Sequence, residues 1–249
     1  FVAGEKTTIT FDGSNIVSFE VNGALEKIII EQKGKIKAEG KEILLSTSAT
    51  EHFLDKHMIN MDGELVGQKI TLQGGDNSYV TIGSKARIDS TGRKGGEIRI
   101  LGDTIHVKGK GEAGESGAQI DASGDLEGGR IFIGGGPRGK GPEKNAKYLT
   151  IEDGAHLNAD AKTSGNAGTI INYADIKAVL WGKASAQALG ETGDGGFVEY
   201  SAKTLRFAQD EDHLALVGKR SGKAGKFLID PDVIGITTGG TGQWPPTGS

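Results

Sequence analysis

Apolar and polar residues alternate with a period of two along most of the chain, which is the pattern of half-buried strands. Thr8-Ile9-Thr10-Phe11, Ile16 to Val21, Ile28 to Ile30, Lys35 to Ala38 and Ile43 to Leu45 open the series. Ile70 to Leu72, Tyr79 to Ile82, Thr104 to Val107, Tyr148 to Ile151, His156 to Ala159 and Thr169 to Ile171 continue it, and Phe197 to Tyr200, Thr204 to Phe207 and Lys226 to Ile229 close it. Nearly every run is short and stops at Gly, Asn, Asp or Ser, residues that supply turns. Helical periodicity is almost absent. The exception is Ser48-Ala49-Thr50-Glu51, continuing to Ile59, where Ser48 and Glu51 have capping-box spacing. It predicts a short helix of about two turns against one side of the strands.

The strands recur as a cassette. Ala86-Arg87-Ile88-Asp89-Ser90-Thr91-Gly92 leads to Gly95-Gly96-Glu97-Ile98-Arg99-Ile100, and Ala118-Gln119-Ile120-Asp121-Ala122-Ser123-Gly124 leads to Gly128-Gly129-Arg130-Ile131-Phe132-Ile133. Copies about 30 residues apart mean one supersecondary unit wound repeatedly. Of two-residue hairpin turns of the Asn-Gly type only Asn22-Gly23 appears, after a strand but not before a matching one, which favours parallel winding over a meander. The prediction is all-β, a parallel β-helix (β-solenoid) with one short helix and protruding Gly-rich loops. Its core should be ladders of like residues, such as Ile88, Ile120, Leu157 and Ile98, Ile131, Ile170, Val198. With about ten rungs at about 4.8 Å it would be a rod of roughly 50 Å. The run Gly134 to Pro142 reads as a protruding loop, and Gly134 to Gly136 and Gly74-Gly75 as corners needing positive φ.

Composition fits a thin core. Glycine accounts for 42 of 249 residues, while hydrophobic residues are 35% and aromatics 6%. The 29 basic and 33 acidic residues give a net charge of -4, which provides no reason to expect nucleic acid or an anionic membrane as partner. The absence of cysteine removes disulfides and thiol chemistry. No apolar run is long enough to span or insert into a membrane. The chain opens on Phe1 with no secretory leader pattern, so it reads as a piece of something longer.

Candidate chemistry is sparse. The recurring Asp89 and Asp121 read as turn residues that bond their own backbone rather than as a calcium column. The five histidines, His52, His57, His106, His156 and His213, show no metal-binding spacing. His106 and His156 belong to outward strand positions. No metal or cofactor is therefore expected. Gln209-Asp210-Glu211-Asp212-His213 is the densest acidic run and reads as a solvated face rather than a glycosidase pair, so the chain is not expected to be an enzyme. Trp181 should pack against a solenoid side. The residues left to touch a ligand are Arg138, Lys140 and Lys144 on the 134–144 loop, where sequence can vary without touching the core, and Trp244 near the C-terminus.

Several segments together resemble one family. Val2 to Phe11, Gly34 to Leu45 followed by Ser46 to Ala49, the two Ile-Asp cassettes, Gly154 to Ala161, Gly193 to Ser201 and Phe227-Leu228-Ile229-Asp230-Pro231 are similar, in order and spacing, to filamentous-haemagglutinin-like exoproteins of bacterial two-partner secretion, in the region after the secretion domain. The family's Asn-Pro-Asn-Gly secretion signature is missing from these residues. The resemblance implies a right-handed β-helix, here over 1–234, while the Gly/Thr/Pro-rich residues 235–249 read from their composition as a linker or tail. It also implies export through an outer-membrane partner pore and a secreted or cell-surface location. The expected function is a non-catalytic adhesin or haemagglutinin-like shaft that meets host or neighbouring cells, or matrix glycans and proteins. The alternatives are a structural solenoid associating end to end and, further off, a polysaccharide-processing β-helix enzyme.

Overall fold

The computed structural model describes residues 2–3, 6–11, 16–22, 27–48, 56–111, 114–208, 212–219 and 222–232. Its strands stack in parallel on three faces, as the repeated cassette requires, and the winding is consistent with the right-handed sense that parallel crossovers take. The first face stacks Ile16–Asn22, 42–48, 69–74, Glu97–Leu101, Arg130–Ile133, 169–174, 197–202 and Lys226–Pro231. The second runs from Lys27–Gln32 through Lys56–Met61, Ser78–Ile82, Thr104–Val107 and Tyr148–Ile151 to 177–180 and 204–207. The third stacks 35–38, 64–67, Arg87–Asp89, Gln119–Asp121, His156–Asn158, Lys183–Ser185 and Leu214–Ala215. A short fourth edge, where Gly92–Lys94 pairs with Gly124–Glu127, returns the chain to the first face.

The register produces the predicted ladders. Ile36, Leu65, Ile88, Ile120, Leu157, Ala184 and Leu214 form one column. Ile43, Ile70, Ile98, Ile131, Ile170, Val198 and Phe227 form another. From Ile43 to Val198 every member of that second column is fully buried. Each inward side chain thus packs on its equivalents one rung above and below, and stability becomes nearly a sum of neighbour terms. At the C-terminal end the ladders give way to an edge-to-face trio, Tyr200, Phe207 and Phe227, with ring centroids 5.1–5.9 Å apart. Burial in this trio raises the Tyr200 hydroxyl pKa far above its ordinary value.

Three expectations change. The rod is shorter, because one turn takes from 26 residues (Ile16 to Glu42) to 39 (Arg130 to Thr169). Eight stacked strands on the first face give a length of about 34 Å. Part of the predicted helix is a strand: Lys56–Met61 pairs in parallel between Lys27–Gln32 and Ser78–Ile82, and Ile59 and Met61 are fully buried. Period-two burial and two neighbouring strands outweigh the local capping pattern there, while residues 49–55 lie outside those described. The winding is also not parallel throughout. Lys6–Phe11 lies antiparallel on Ile16–Asn22, and Val2–Ala3 antiparallel on Lys27–Gln32, so antiparallel strands cover the N-terminal rung. The 235–249 segment, including Trp244, lies outside the described residues.

One inward position is anomalous. The column Leu45, Leu72, Ile100, Ile133 continues into Asn172 and then Tyr200. Asn172 is fully buried, and neither its amide oxygen nor its nitrogen meets a protein partner. An unpaired buried amide costs about 1–3 kcal/mol. Asn172→Leu is therefore expected to raise stability by about 1–2 kcal/mol in urea titration. A loss of stability would show that the amide is bonded within the core.

Candidate functional site

With the interior filled by ladders, any recognition falls to the outward positions and to the insertion between Ile133 and Tyr148. The insertion starts with Gly134, whose φ of 82° suits glycine, and its neck closes where the Ala146 N–H donates to the Gly134 carbonyl at 2.7 Å. Between them, Pro137–Gly139 forms a 3-10 turn with Arg138 in the left-handed region.

This loop does not protrude. Outward residues of the first face align as Arg99, Phe132, Ile171 and Glu199, and the last three are 7%, 0% and 1% exposed although they point away from the core. The loop folds back over them. The Arg138 backbone N–H donates to Glu199 Oε1 at 2.7 Å, and the Ser201 hydroxyl donates to the same oxygen at 2.8 Å. Glu143 pairs with Arg99, whose guanidinium lies 4.7 Å over the Phe132 ring. Asn145 donates to the Gly139 carbonyl at 3.0 Å and to Asp175 at 3.2 Å. The result is a small second core outside the solenoid. Arg99 is held charged in it: burial opposes its charge, but Glu97 and Glu143 outweigh that and raise its pKa.

Asp103 fastens the other end of the loop. Its side chain is 5% exposed and meets Lys144 Nζ at 2.9 Å and Lys147 Nζ at 2.8 Å, while the Asn77 N–H donates to it at 3.1 Å. Burial pushes the Asp103 carboxyl up, but both ammonium groups and the Asn77 N–H together hold it below its ordinary value. A carboxyl depressed on folding stabilises fully above the unfolded pKa, about 3.9 for Asp, and that contribution disappears as pH falls through the lower folded value. Asp103→Asn is expected to cost about 1–2 kcal/mol at neutral pH and to speed proteolytic cutting within 137–144. The difference between variant and parent should close below pH 3.9. Equal cutting rates at neutral pH would show that the network does not hold the loop.

The predicted ligand residues therefore separate. Arg138 and Lys140 present exposed side chains on the strapped loop. Lys144 is committed to Asp103 and, at 2.5 Å, to Asp76, which raises its pKa. Asp89 and Asp121 do act on their own turns: Asp89 accepts from the Thr91 N–H at 2.8 Å and Asp121 from the Ser123 N–H at 2.7 Å. Gly74 needs space rather than positive φ, because a Cβ there would sit 2.3 Å from Ser78 Oγ. His106 and His156 do point outward, His106 towards Glu152 Oε1 at 2.5 Å.

Sequence reading missed the character of the second face. Trp181 is 41% exposed there rather than packed against a side. Outward positions of this face align as Tyr79, Thr104, Tyr148, Lys177 and Thr204, with Thr81, His106, Thr150, Val179 and Arg206 in the next column. Tyr79 and Tyr148 are 42% and 45% exposed. The signal was present in the polar half of each alternating strand, but only register aligns those residues.

Comparison with known proteins adds little. No protein-family model matches the chain. No curated protein matches it. Among solved structures, it is similar to the crystal structure of the HMW1 secretion domain from Haemophilus influenzae, at 16% identity over 92% of this chain and 99% of that chain, with a TM-score of 0.36.

Proposed function

We propose that this chain is a shaft segment of a secreted, surface-exposed bacterial exoprotein of adhesin type, exported through an outer-membrane partner pore, that acts by presenting outward surfaces rather than by catalysis. The observation that supports this reading is the separation of roles along the described strands of the second face. Inward residues form ladders that hold the rod, and outward residues on the second face vary from rung to rung without touching that core. The sequence segments resembling filamentous-haemagglutinin-like exoproteins point the same way. Joining of rods by strand addition is the less favoured alternative. Its N-terminal acceptor edges, on Ile16–Asn22 and Lys27–Gln32, already carry antiparallel strands.

Binding of the purified chain to epithelial cells and matrix-coated surfaces tests the reading. Saturable binding is expected, with separate rods about 34 Å long in electron micrographs. Absence of binding to every cell and matrix, or turnover of a uronate or glucan substrate, would defeat it.

A further inference from the structure

In a solenoid each rung packs on the rungs directly above and below it, so rungs three apart do not sense one another. The loop between Ile133 and Lys147 departs from this rule. Its reach is clearest with the rungs numbered by the first-face strands in chain order, from Ile16–Asn22 as the first to Lys226–Pro231 as the eighth. The loop leaves the fifth rung after Ile133 and extends both ways along the rod. In one direction Lys144 meets Asp76, just after the third rung, at 2.5 Å and Asp103, just after the fourth, at 2.9 Å. Glu143 pairs with Arg99 on the fourth rung itself. In the other direction the Gly139 backbone lies against the ring of Tyr173 on the sixth rung, so closely that a Cβ there would collide with it. The Arg138 N–H then reaches Glu199 on the seventh rung at 2.7 Å. One short loop thus ties together five consecutive rungs, about 19 Å of rod.

The loop is built to carry strain between its two ends. Asn145, next to Lys144, donates to the carbonyl of Gly139, next to Arg138, at 3.0 Å, so the two anchoring segments are bonded to each other. A tight turn stiffens the crown, where the Gly139 N–H donates to the Gly136 carbonyl and the Lys140 N–H to the Pro137 carbonyl, both at 3.0 Å. The anchors are also shielded from water. Glu199 is 1% exposed and the Asp103 side chain 5%, which makes their bonds stronger than those of surface pairs. Ion pairs elsewhere on the rod, such as Lys35 with Glu64 and Lys94 with Glu127, join only adjacent rungs and lie in solvent.

We infer that the 134–146 loop is a clasp that couples the third to seventh rungs into one cooperative unit, so that the middle of the rod opens as a whole rather than rung by rung. In a shaft under pull, such a unit holds until the clasp yields. The inference concerns how the rod resists opening and stands whether or not the chain binds cells.

A double-mutant cycle tests it. Asp103→Asn loosens one end of the clasp and Glu199→Ala the other, three rungs away. Each is expected to lower the folded-to-unfolded ratio in urea titration about tenfold. Releasing either end already removes the bridge, so the double variant should fall only about threefold below the weaker single one, whereas independent sites would multiply to about a hundredfold. The control pair is Ser90→Ala and Ser185→Ala, also three rungs apart but on the third face. Both serines are buried, with hydroxyls donating to the Gln68 carbonyl at 2.8 Å and to Asp160 at 2.7 Å, and no loop joins them, so their effects should multiply. Hydrogen exchange gives a second readout. Glu199→Ala should speed exchange of the amides of Glu97–Leu101 as well as those of 169–174 and 197–202. If Glu199→Ala does not fold, Gly139→Ala replaces it, since it strains a φ of 63° and pushes the loop off Tyr173. Multiplying effects of the clasp pair, no effect of either single variant, or faster exchange confined to the sixth to eighth rungs would overturn the clasp.

Discussion

Ile131→Asp is expected to abolish cooperative folding of the middle rungs. Ile131 is fully buried between Ile98 on one rung and Ile170 on the next, so an aspartate there faces aliphatic side chains along the rod axis. The change removes an aliphatic side chain, worth about 2–5 kcal/mol in large-to-small core series, and buries a charge without a partner, which costs several more. The sum reaches the whole stability of an ordinary domain, about 5–15 kcal/mol. In a solenoid the damage falls on the interfaces with adjacent rungs. Urea titration should therefore show either an unfolded chain or two separated transitions in place of one. Ile131→Val should cost only about 1 kcal/mol. A midpoint for Ile131→Asp close to that of the parent would mean the column does not hold the rungs together.

That column was legible in the sequence for a physical reason. Rungs built from the same cassette align like residues, so Ile88, Ile120 and Leu157, and Ile98, Ile131, Ile170 and Val198, could be placed without coordinates. Departures arose where a residue's environment is set by something distant. Ile131-Phe132-Ile133 and Ile170-Ile171 are continuous apolar runs, the signature of strands buried on both sides, and the cover over Phe132 and Ile171 is the loop itself. Its glycines and charges suggest exposure, but the bonds that hold it come from Glu199 and Asp103, each more than thirty residues away. Lys56–Met61 was misread because the capping pattern is local, whereas the burial of Ile59 and Met61 depends on pairing with strands on both sides. The antiparallel strand at the N-terminal end had a cue in Asp12-Gly13, a hairpin dipeptide between two alternating runs. The outer columns of the second face are the least legible feature. Tyr79 and Tyr148 are 69 positions apart in sequence and become neighbours in a column only through the register of Thr104–Val107 between them.

The glycines that precede the first face give the sharpest prediction about how rungs pack. Gly96, Gly129, Gly168, Gly196 and Gly225 stack in one column, and none has a positive φ. Their requirement is space. A Cβ on Gly129 would lie 2.2 Å from the Gly96 carbonyl oxygen, and one on Gly168 would lie 1.9 Å from that of Gly129. Those oxygens cannot swing aside freely, because the Gly96 carbonyl accepts from the Arg130 N–H at 2.9 Å and the Gly129 carbonyl from the Thr169 N–H at 2.9 Å. A methyl group at Gly168 must therefore break a ladder bond or push two rungs apart, and Gly168→Ala is expected to cost about 3 kcal/mol. Gly34 provides the opposite case, since a Cβ there meets nothing within 4 Å and its φ is not in the left-handed region. Gly34→Ala should leave stability unchanged or raise it by about 0.5–1 kcal/mol, by restricting the unfolded chain. The two substitutions are chemically identical, so opposite shifts in their urea midpoints would isolate rung spacing as the cause. A shift of the same sign and size in both would instead place the cost in the loss of glycine's backbone freedom, and the close-packed corner would not be what sets the spacing.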